Sequence, residues 1–427
     1  MDDNTLVSGI NEWLADQALS EPDIVGMFEG LCHRLRAIGI PLARARLTWP
    51  TLHPLFQAET ILWSREHGTE FEQFLHQENM SDAWHESPMK YMLEHDISVL
   101  RRNLDGPNAL FDFPVLTDVM EQGMTDYLVV STAFTTNSAY HNQRRGIFVT
   151  WSADREGGFS NNEIESLQKI QRRFAVACKT VVQERISHNI VETYLGKQAG
   201  EQVLSGAIRR GDGDTTNAVV WYSDLRNSTA LADTMPGDEY LKLLNTYFEA
   251  TAGPVIEAGG EVLDFIGDAV LAIFPFENES EKNNAVCAAT CALRKSMAAS
   301  EKIDVQRKKD GLPAIKFGIG MNVGSLLFGN IGVPQRLSFS VIGPTVNEVA
   351  RIETMTKIIG KPILVTKEVA EFEANSWQLL GNYTLQGVSQ KVDLYTLIDI
   401  EVRDQEIPAQ TSSEASKSDE PDRTLIN

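Results

Sequence analysis

Two aspartates stand in segments that are otherwise apolar. Asp224 ends the run NAVVWYSD, and Asp268 lies at the turn of GGEVLDFIGDAVLAIF, Gly259 to Phe274. If these segments are neighbouring strands of one sheet, both carboxylates reach the same edge, where they repel each other unless a proton or a cation separates them. A divalent metal ion held by oxygen ligands resolves that conflict. The pair therefore predicts a metal site.

A polar turn follows the first aspartate directly. The residues LRNST lead into a helix, where free backbone amides and the hydroxyls of Ser228 and Thr229 can hold phosphate oxygens. Carboxylates, a hard metal ion and a phosphate loop together indicate metal-assisted phosphoryl chemistry. The alternative is purely structural: Asp224 caps the following helix and Asp268 makes an Asx turn.

The elements that must position these residues alternate in type between residues 217 and 400. Their order is β-α-β-β-α-β with further strands behind, which predicts an α+β sheet with helices on one face. In chain order the predicted elements are NAVVWYSD, GDEYLKLLNTYFEATAGPVIEAGG, the two strands of the hairpin, the helical run Glu281 to Ala299, IKFGIGMNVG, RLSFSVIG and the helix PTVNEVARIETM.

The first part of the chain has a different order. A helix-like stretch, Glu21 to Ile38, precedes the strand-like segments, and a long helix with Ser160 as its N-cap follows them. This pattern resembles a GAF-type sensor domain, although no specific motif carries the likeness. The exit helix is predicted to run on through ISHNIVETYLGKQAGEQVLSG as a stiff connector. The predicted strands are ARARLTW, AETILWS, DYLVVSTAF and GIFVTWS.

Composition and length define the predicted organisation. The 427 residues suit two domains plus linkers. We expect a sensor or regulatory domain at 1–185, a helical connector at 186–216, a catalytic domain at 217–400 and a disordered acidic tail at 401–427.

Charge and hydropathy exclude several classes of partner. With 59 Asp and Glu against 38 Lys and Arg, the formal charge of -21 argues against binding to nucleic acid. Apolar runs fall far short of the roughly 20 residues of a membrane-spanning helix. No secretory signal opens the sequence, so we expect a cytoplasmic protein. All eight histidines precede the second domain, whose chemistry therefore cannot depend on imidazole.

Four ordered motifs of the second domain resemble the catalytic domain of class III nucleotidyl cyclases. They are YSDLRNST, GGEVLDFIGDAVLAIF, FGIGMNVGSLLFGNIG and SFSVIGPTVNEVARIE. The preceding segment, ETYLGKQAGEQVLSGAIRRG, resembles alphaproteobacterial members. The resemblance implies a ferredoxin-like βαββαβ fold. It also implies that two Mg²⁺ or Mn²⁺ ions per site bind a nucleoside triphosphate. The ribose 3′-hydroxyl then attacks the α-phosphorus, giving a 3′,5′-cyclic nucleotide and pyrophosphate.

The same resemblance implies a role for five residues. Asp224 and Asp268 match the metal ligands of the family, with the carbonyl of Leu225 assisting. Asn347 matches the residue that orients the ribose, and Arg351 matches the arginine that stabilises charge on the α-phosphate. Asn347 and Arg351 are four residues apart and so share one helix face. A surface ion pair of Arg351 with Glu348 or Glu353 is the structural alternative.

In this family the two aspartates and the Asn/Arg pair come from opposite subunits. The resemblance therefore implies a homodimer with two composite sites. We expect the N-terminal domain, whose ligand or partner the sequence does not name, to regulate how the catalytic halves meet.

Two positions depart from the adenylate cyclase pattern and bear on the base. Asp264 replaces the usual lysine, and Ser340 stands where Asp or Thr is usual. Hydrogen bonding by this pair suits guanine at least as well as adenine. Because most bacterial members make cyclic AMP, we favour ATP and keep GTP as the alternative. Asn227 replaces the usual glycine of the phosphate turn and tolerates left-handed backbone angles.

An alternative hypothesis is that the protein is not an enzyme but a catalytically inactive, cyclase-like regulator that binds nucleotide. Such a module is expected to lack a metal aspartate or the Asn/Arg pair, and all four residues are present here.

Overall fold

The computed structural model describes residues 3–20, 23–76, 81–134, 146–388 and 390–398. The chain divides into two compact units, Met1–Ile208 and Arg209–Asn427. The predicted acidic tail, 401–427, lies outside the described residues. No helix within the described ranges is both long and apolar enough to cross a membrane.

The N-terminal unit is an α+β domain around an antiparallel sheet of six strands. The strand order is β3-β2-β1-β6-β5-β4. Its strands are β1 (Leu42–Pro50), β2 (Phe56–Ser64), β3 (Gly68–Leu75), β4 (Val99–Asn103), β5 (Asp126–Ala133) and β6 (Gly146–Ala153). Its helices are α1 (Asp3–Leu19), α2 (Ile24–Ala37), α3 (Asp82–His85), α4 (Pro88–Glu94), α5 (Pro114–Glu121), α6 (Asn161–Leu195) and α7 (Lys197–Leu204).

Two apolar clusters cover the two faces of this sheet. Phe28 of α2 and Phe174 of α6 pack on the face that carries Trp151. Residues of α4 and α5 pack on the other face, against Tyr127 and Val129. Successive strand residues point to opposite faces, which is why one strand serves both clusters.

Helix α6 begins as the sequence predicts. The Ser160 hydroxyl accepts a hydrogen bond from the Glu163 N–H, and the Glu163 carboxylate accepts one from the Ser160 N–H. The continuous connector helix, however, is not found. Helix α6 ends at Leu195, Gly196 adopts φ of +84°, and α7 then packs back against α6. A glycine can take this positive φ at no steric cost, so it ends the helix.

The C-terminal unit contains a second sheet, in the order β13-β14-β12-β10-β7-β9-β8, with β11 paired to β10. Its strands are β7 (Gly213–Leu225), β8 (Glu261–Ile266), β9 (Ala269–Phe276), β10 (Phe317–Val333), β11 (Arg336–Ile342), β12 (Ile363–Thr366), β13 (Trp377–Thr384) and β14 (Lys391–Leu397). Its helices are α8 (Ser228–Thr234), α9 (Gly237–Glu257), α10 (Glu279–Lys309), α11 (Pro344–Ile359) and α12 (Lys367–Ala370), with a 3₁₀ turn at Glu371–Ser376.

The predicted βαββαβ arrangement is present. Strands β10, β7, β9 and β8 are neighbours in that order and antiparallel, and α9 and α10 lie together on one face. Strand β7 begins at Gly213, before the predicted boundary at 217, because its pairing with β10 extends to Gly329.

The expectation that all helices share one face is wrong for α11. Ile319 and Met321 of β10 join the core beneath α9 and α10. Gly320 points the other way, towards α11, where a Cβ atom on it would lie 2.8 Å from the Val349 carbonyl oxygen and the Glu353 nitrogen. The absence of a side chain at Gly320 lets the backbone of α11 rest directly on the strand.

Candidate active site

The hairpin turn between β8 and β9 places Asp268 at the sheet edge. Ile266 pairs with Ala269, so Gly267 and Asp268 form a two-residue turn in which Gly267 has φ of +67°. A positive φ at the first of two turn residues is the pattern of a type II′ hairpin and favours glycine there. Asp268, the second turn residue, therefore lies at the end of the sheet where β8 and β9 are joined.

Asp224 reaches the same edge from the neighbouring strand. It is paired with Ala269 across β7 and β9, and the N–H of Leu225 donates a hydrogen bond to the Asp268 carbonyl at 3.4 Å. The structure thus brings together the two carboxylates whose meeting the sequence predicted.

The electrostatics of the pair reflect burial and like charge. Burial raises the pKa of the Asp224 carboxyl above its ordinary value, the ion pair with Lys357 opposes that rise, and the nearby Asp268 carboxylate adds to it. Lys357 Nζ lies 2.6 Å from Asp224 Oδ2. No sequence motif indicated this lysine, which lies more than 130 residues further along the chain. A cation is therefore already favourable at this carboxylate.

The donor atoms at this edge fit Mg²⁺ or Mn²⁺. The carboxylates of Asp224 and Asp268 are hard oxygen donors, and Leu225 adds a backbone carbonyl at the end of the strand. Among the described residues no cluster of three or more His, Cys, Asp or Glu side chains is suited to hold a metal ion. A site with two carboxylates is typical of Mg²⁺, which keeps water or substrate phosphate as its other ligands.

A buried ion pair fixes α11 beside the aspartates. Arg226 Nη1 lies 3.0 Å from Glu353 Oε1, the Arg226 side chain also donates to Thr356, and its N–H donates to the Lys316 carbonyl. Glu353 is only 2% exposed. Burial raises the pKa of the Glu353 carboxyl, and the negative charge of Asp224 raises it further. Sequence reasoning missed this network, although a glutamate within an apolar helical pattern was an available signal.

The turn after Asp224, which is predicted to hold phosphate, contains a left-handed residue. Asn227 adopts the left-handed conformation with φ of 59° and ψ of 27°. Helix α8 begins directly after it, so the hydroxyl-bearing residues Ser228 and Thr229 form its first turn, and Thr229 is exposed. Asparagine therefore supplies at this position the backbone conformation that glycine usually provides.

Asn347 and Arg351 lie one turn apart on α11. Asn347 is exposed and Arg351 is partly buried. Glu353 is bound to Arg226, and Glu348 accepts a hydrogen bond from Asn322 at 3.1 Å, so neither acid forms the predicted alternative ion pair with Arg351. Within the described residues no hydrogen bond or ion pair joins Asn347 or Arg351 to the aspartates.

The two predicted base-reading residues lie on different strands. Asp264 is exposed on β8, next to a bulge in its pairing with β9. Ser340 is partly buried on β11, where it pairs with Gly329 of β10. No hydrogen bond between Asp264 and Ser340 is present in the described part of the chain.

Comparison with known proteins identifies the C-terminal unit. Residues 213–399 match the family described as the adenylate and guanylate cyclase catalytic domain. The chain is 31% identical over 221 residues to an adenylate cyclase of Anabaena cylindrica, covering 51% of this chain and 42% of that protein. It is 29% identical over 202 residues to the terminal-differentiation specific adenylate cyclase of Dictyostelium discoideum, covering 46% of this chain and 9% of that protein.

A solved structure is also similar. The guanylyl cyclase Cya2 is 27% identical with a TM-score of 0.38, over 43% of this chain and 93% of that one. The present chain spans less than half the length of the two curated relatives named above. On the match of its sequence, the segment 213–399, which carries Asp224, Asp268, Asn347 and Arg351, is a class III adenylate and guanylate cyclase catalytic domain.

Proposed function

We propose that this protein is an adenylate cyclase that converts ATP into 3′,5′-cyclic AMP and pyrophosphate. The observation that carries the proposal is the meeting of Asp224 and Asp268 at one sheet edge within a cyclase catalytic domain. Divalent metal ions bound there would neutralise the triphosphate and lower the pKa of the attacking 3′-hydroxyl.

The remaining roles belong to side chains of α11 and of the phosphate turn. Asn347 orients the ribose so that its 3′-oxygen is in line with the bond between the α- and β-phosphates. Arg351 donates to the α-phosphate oxygens as their charge grows, a task for which a planar guanidinium is suited. The amides and hydroxyls of Ser228 and Thr229, after the left-handed Asn227, hold the terminal phosphates.

The active enzyme is proposed to be a homodimer. Among the described residues of one chain, Asn347 and Arg351 form no hydrogen bond or ion pair with the aspartates, which supports a second chain completing each site. The N-terminal unit is proposed to be a GAF-like sensor that regulates this pairing, since its six-stranded antiparallel sheet contains the four strands that the likeness requires. The division into 1–185, 186–216, 217–400 and 401–427 stays a proposal, with the start of the catalytic domain moved from 217 to Gly213, where β7 begins.

The second candidate function is guanylate cyclase. Asp264 and Ser340, an acceptor and a donor, suit the Watson–Crick edge of guanine at least as well as that of adenine. ATP is favoured because the curated relatives named above are adenylate cyclases.

The test incubates purified protein with ATP or GTP and Mn²⁺ and quantifies cyclic AMP and cyclic GMP by mass spectrometry. We expect cyclic AMP from the wild type and from the control Asp238→Asn, an exposed aspartate at the start of α9, and none from Asp224→Asn. Cyclic GMP as the main product would select the second candidate. Nucleotide binding without either product would instead favour the inactive regulator.

A further inference from the structure

The face of the N-terminal sheet that carries Tyr127 also has a polar patch at its centre. Arg44 of β1 is opposite Ser152 of β6, and Ser152 is opposite Tyr127 of β5. In the next row, Arg46 of β1 is opposite Thr150 of β6. Side chains opposite each other on paired strands point to the same face, so these five residues form one patch, called here the arginine patch.

Three hydrogen-bonding atoms of the arginine patch are buried and have no partner among the residues that the structure describes. They are the hydroxyl oxygens of Thr150 and Ser152 and the Nε of Arg46. Thr150 is 1% exposed and Ser152 is 0% exposed. Buried polar groups of native proteins are almost always hydrogen-bonded, and here three that can donate lie on one face of adjacent strands.

The charge of the patch is also incompletely compensated. Arg46 pairs with Glu72 at 3.0 Å, whereas Arg44 has neither a hydrogen bond nor an ion pair within the described part of the chain. Burial and the neighbouring Arg46 lower the pKa of Arg44 below its ordinary value. Burial raises the pKa of Tyr127 to about 12, so its hydroxyl keeps its proton at neutral pH. Glu72 opposes the lowering of the Arg44 pKa through its charge but forms no ion pair with Arg44, so the partly buried guanidinium is only partly compensated and an added anion would be favourable.

We propose that the arginine patch binds a small oxyanion, a phosphate or carboxylate group of a soluble metabolite. Arg44 would hold two of its oxygens with its planar fork, and the hydroxyls of Ser152, Thr150 and Tyr127 would donate to it. Every unpaired group in the patch can donate, which favours an anion. The near-complete burial of the two β6 hydroxyls requires that the bound group be small. This ligand site in the N-terminal unit is independent of the proposed cyclase activity.

Calorimetric titration of the full chain tests the proposal with two probes, inorganic phosphate and succinate, at constant ionic strength in chloride. We expect saturable binding of at least one probe. Its dissociation constant should rise about tenfold or more in Arg44→Met, which removes a charge-assisted contact. The matched control is Arg173→Met, an exposed arginine on α6, which should bind as the wild type does.

Thr150→Val provides a second variant of nearly unchanged shape. It should fold at least as stably as the wild type without the probe, because it removes an unpaired buried hydroxyl, and yet bind the probe more weakly. Phosphate held by the catalytic domain would persist in both variants. Equal affinity in wild type, Arg44→Met and Thr150→Val, or no saturable binding of either probe, would overturn the proposal. Neither result bears on the synthesis of cyclic nucleotide.

Discussion

Arg351 is held by no acidic partner among the described residues, and this freedom predicts a purely chemical role. We expect Arg351→Ala to lower kcat by roughly 10²- to 10³-fold, the usual effect of removing a donor to a charged transition state. Because no ion pair is lost, the midpoint of thermal unfolding should remain within a few degrees of the wild-type value. Cyclic nucleotide production and calorimetry of the same preparation check both parts. A large fall in thermal stability would assign Arg351 a structural role instead.

Arg226, unlike Arg351, is predicted to be important for the stability of the fold. Arg226→Met leaves the Glu353 carboxylate, 2% exposed, without its partner, which should destabilise the catalytic unit by about 3 to 5 kcal/mol. The double variant Arg226→Met/Glu353→Leu removes both charges and should recover most of that loss. Denaturant unfolding of wild type, both single variants and the double variant measures the coupling. Additive effects of the two substitutions would contradict the prediction.

The roles of single residues could be read from the sequence only where a motif carried them. The positions of Asp224 and Asp268 followed from strand ends and a hairpin turn, which are local features. Lys357 and Glu353 could not be placed in the same way, because their partners lie more than 120 residues away and meet them only through the packing of α11.

At the scale of elements, the contact between α11 and β10 depends on glycine. In Gly320→Ala the new methyl group would lie 2.8 Å from backbone atoms of Val349 and Glu353, and backbone cannot move aside as a side chain can. We expect a loss of about 1 to 3 kcal/mol in unfolding free energy. A marked fall in activity should accompany it, since α11 carries Asn347 and Arg351.

Gly9→Ala is the control for this substitution. Gly9 lies within α1, and a Cβ atom there would have no neighbour within 4 Å. Because alanine favours the helix, this variant should be more stable by about 0.5 to 1 kcal/mol and fully active. If both glycine variants behaved alike, the close packing of α11 on β10 would not be the cause.

Periodicity predicted the type and order of the elements well and their limits less well. The four predicted strands of the first unit are present, but the strands β3 and β4 and the helices α1, α3, α4 and α5 were missed. Strand β3 lies on an exposed edge and has Phe71 and Phe74 among polar residues at a spacing of three, so its pattern lacks a buried face. The helix predicted at Glu281 to Ala299 extends to Lys309, because its last turns are charged and solvent-exposed and so carry little apolar signal.

At the scale of the whole molecule, the proposed homodimer predicts that two variants can restore each other's activity, which a monomeric enzyme could not do. Asp224→Asn and Arg351→Ala should each have at most about 1% of the wild-type activity, because every site then lacks either its metal ligand or its arginine. When the two variants are mixed and allowed to exchange subunits, half of the dimers are expected to be mixed, and each mixed dimer has one intact site.

Activity of the mixture should therefore reach about one quarter of the wild-type value at equal total protein, assuming that the two sites act independently. Cyclic nucleotide assays before and after mixing measure this recovery. Mixing Asp224→Asn with Asp268→Asn is the control, since both substitutions fall in the same half of the site and no intact site forms. Recovery in the control, or its absence in the first mixture, would contradict the composite site.

The glycines of β10 also have a consequence for how this domain can diverge. Gly318, Gly320 and Gly324 face α11 or the side chains it carries, where an added Cβ atom would clash, while Ile319 and Met321 between them lie in an ordinary apolar core. Tolerance to substitution along the strand should therefore alternate with a period of two. In a saturation library selected for folded protein, the glycine positions should admit almost nothing else. The intervening positions should exchange freely among aliphatic residues.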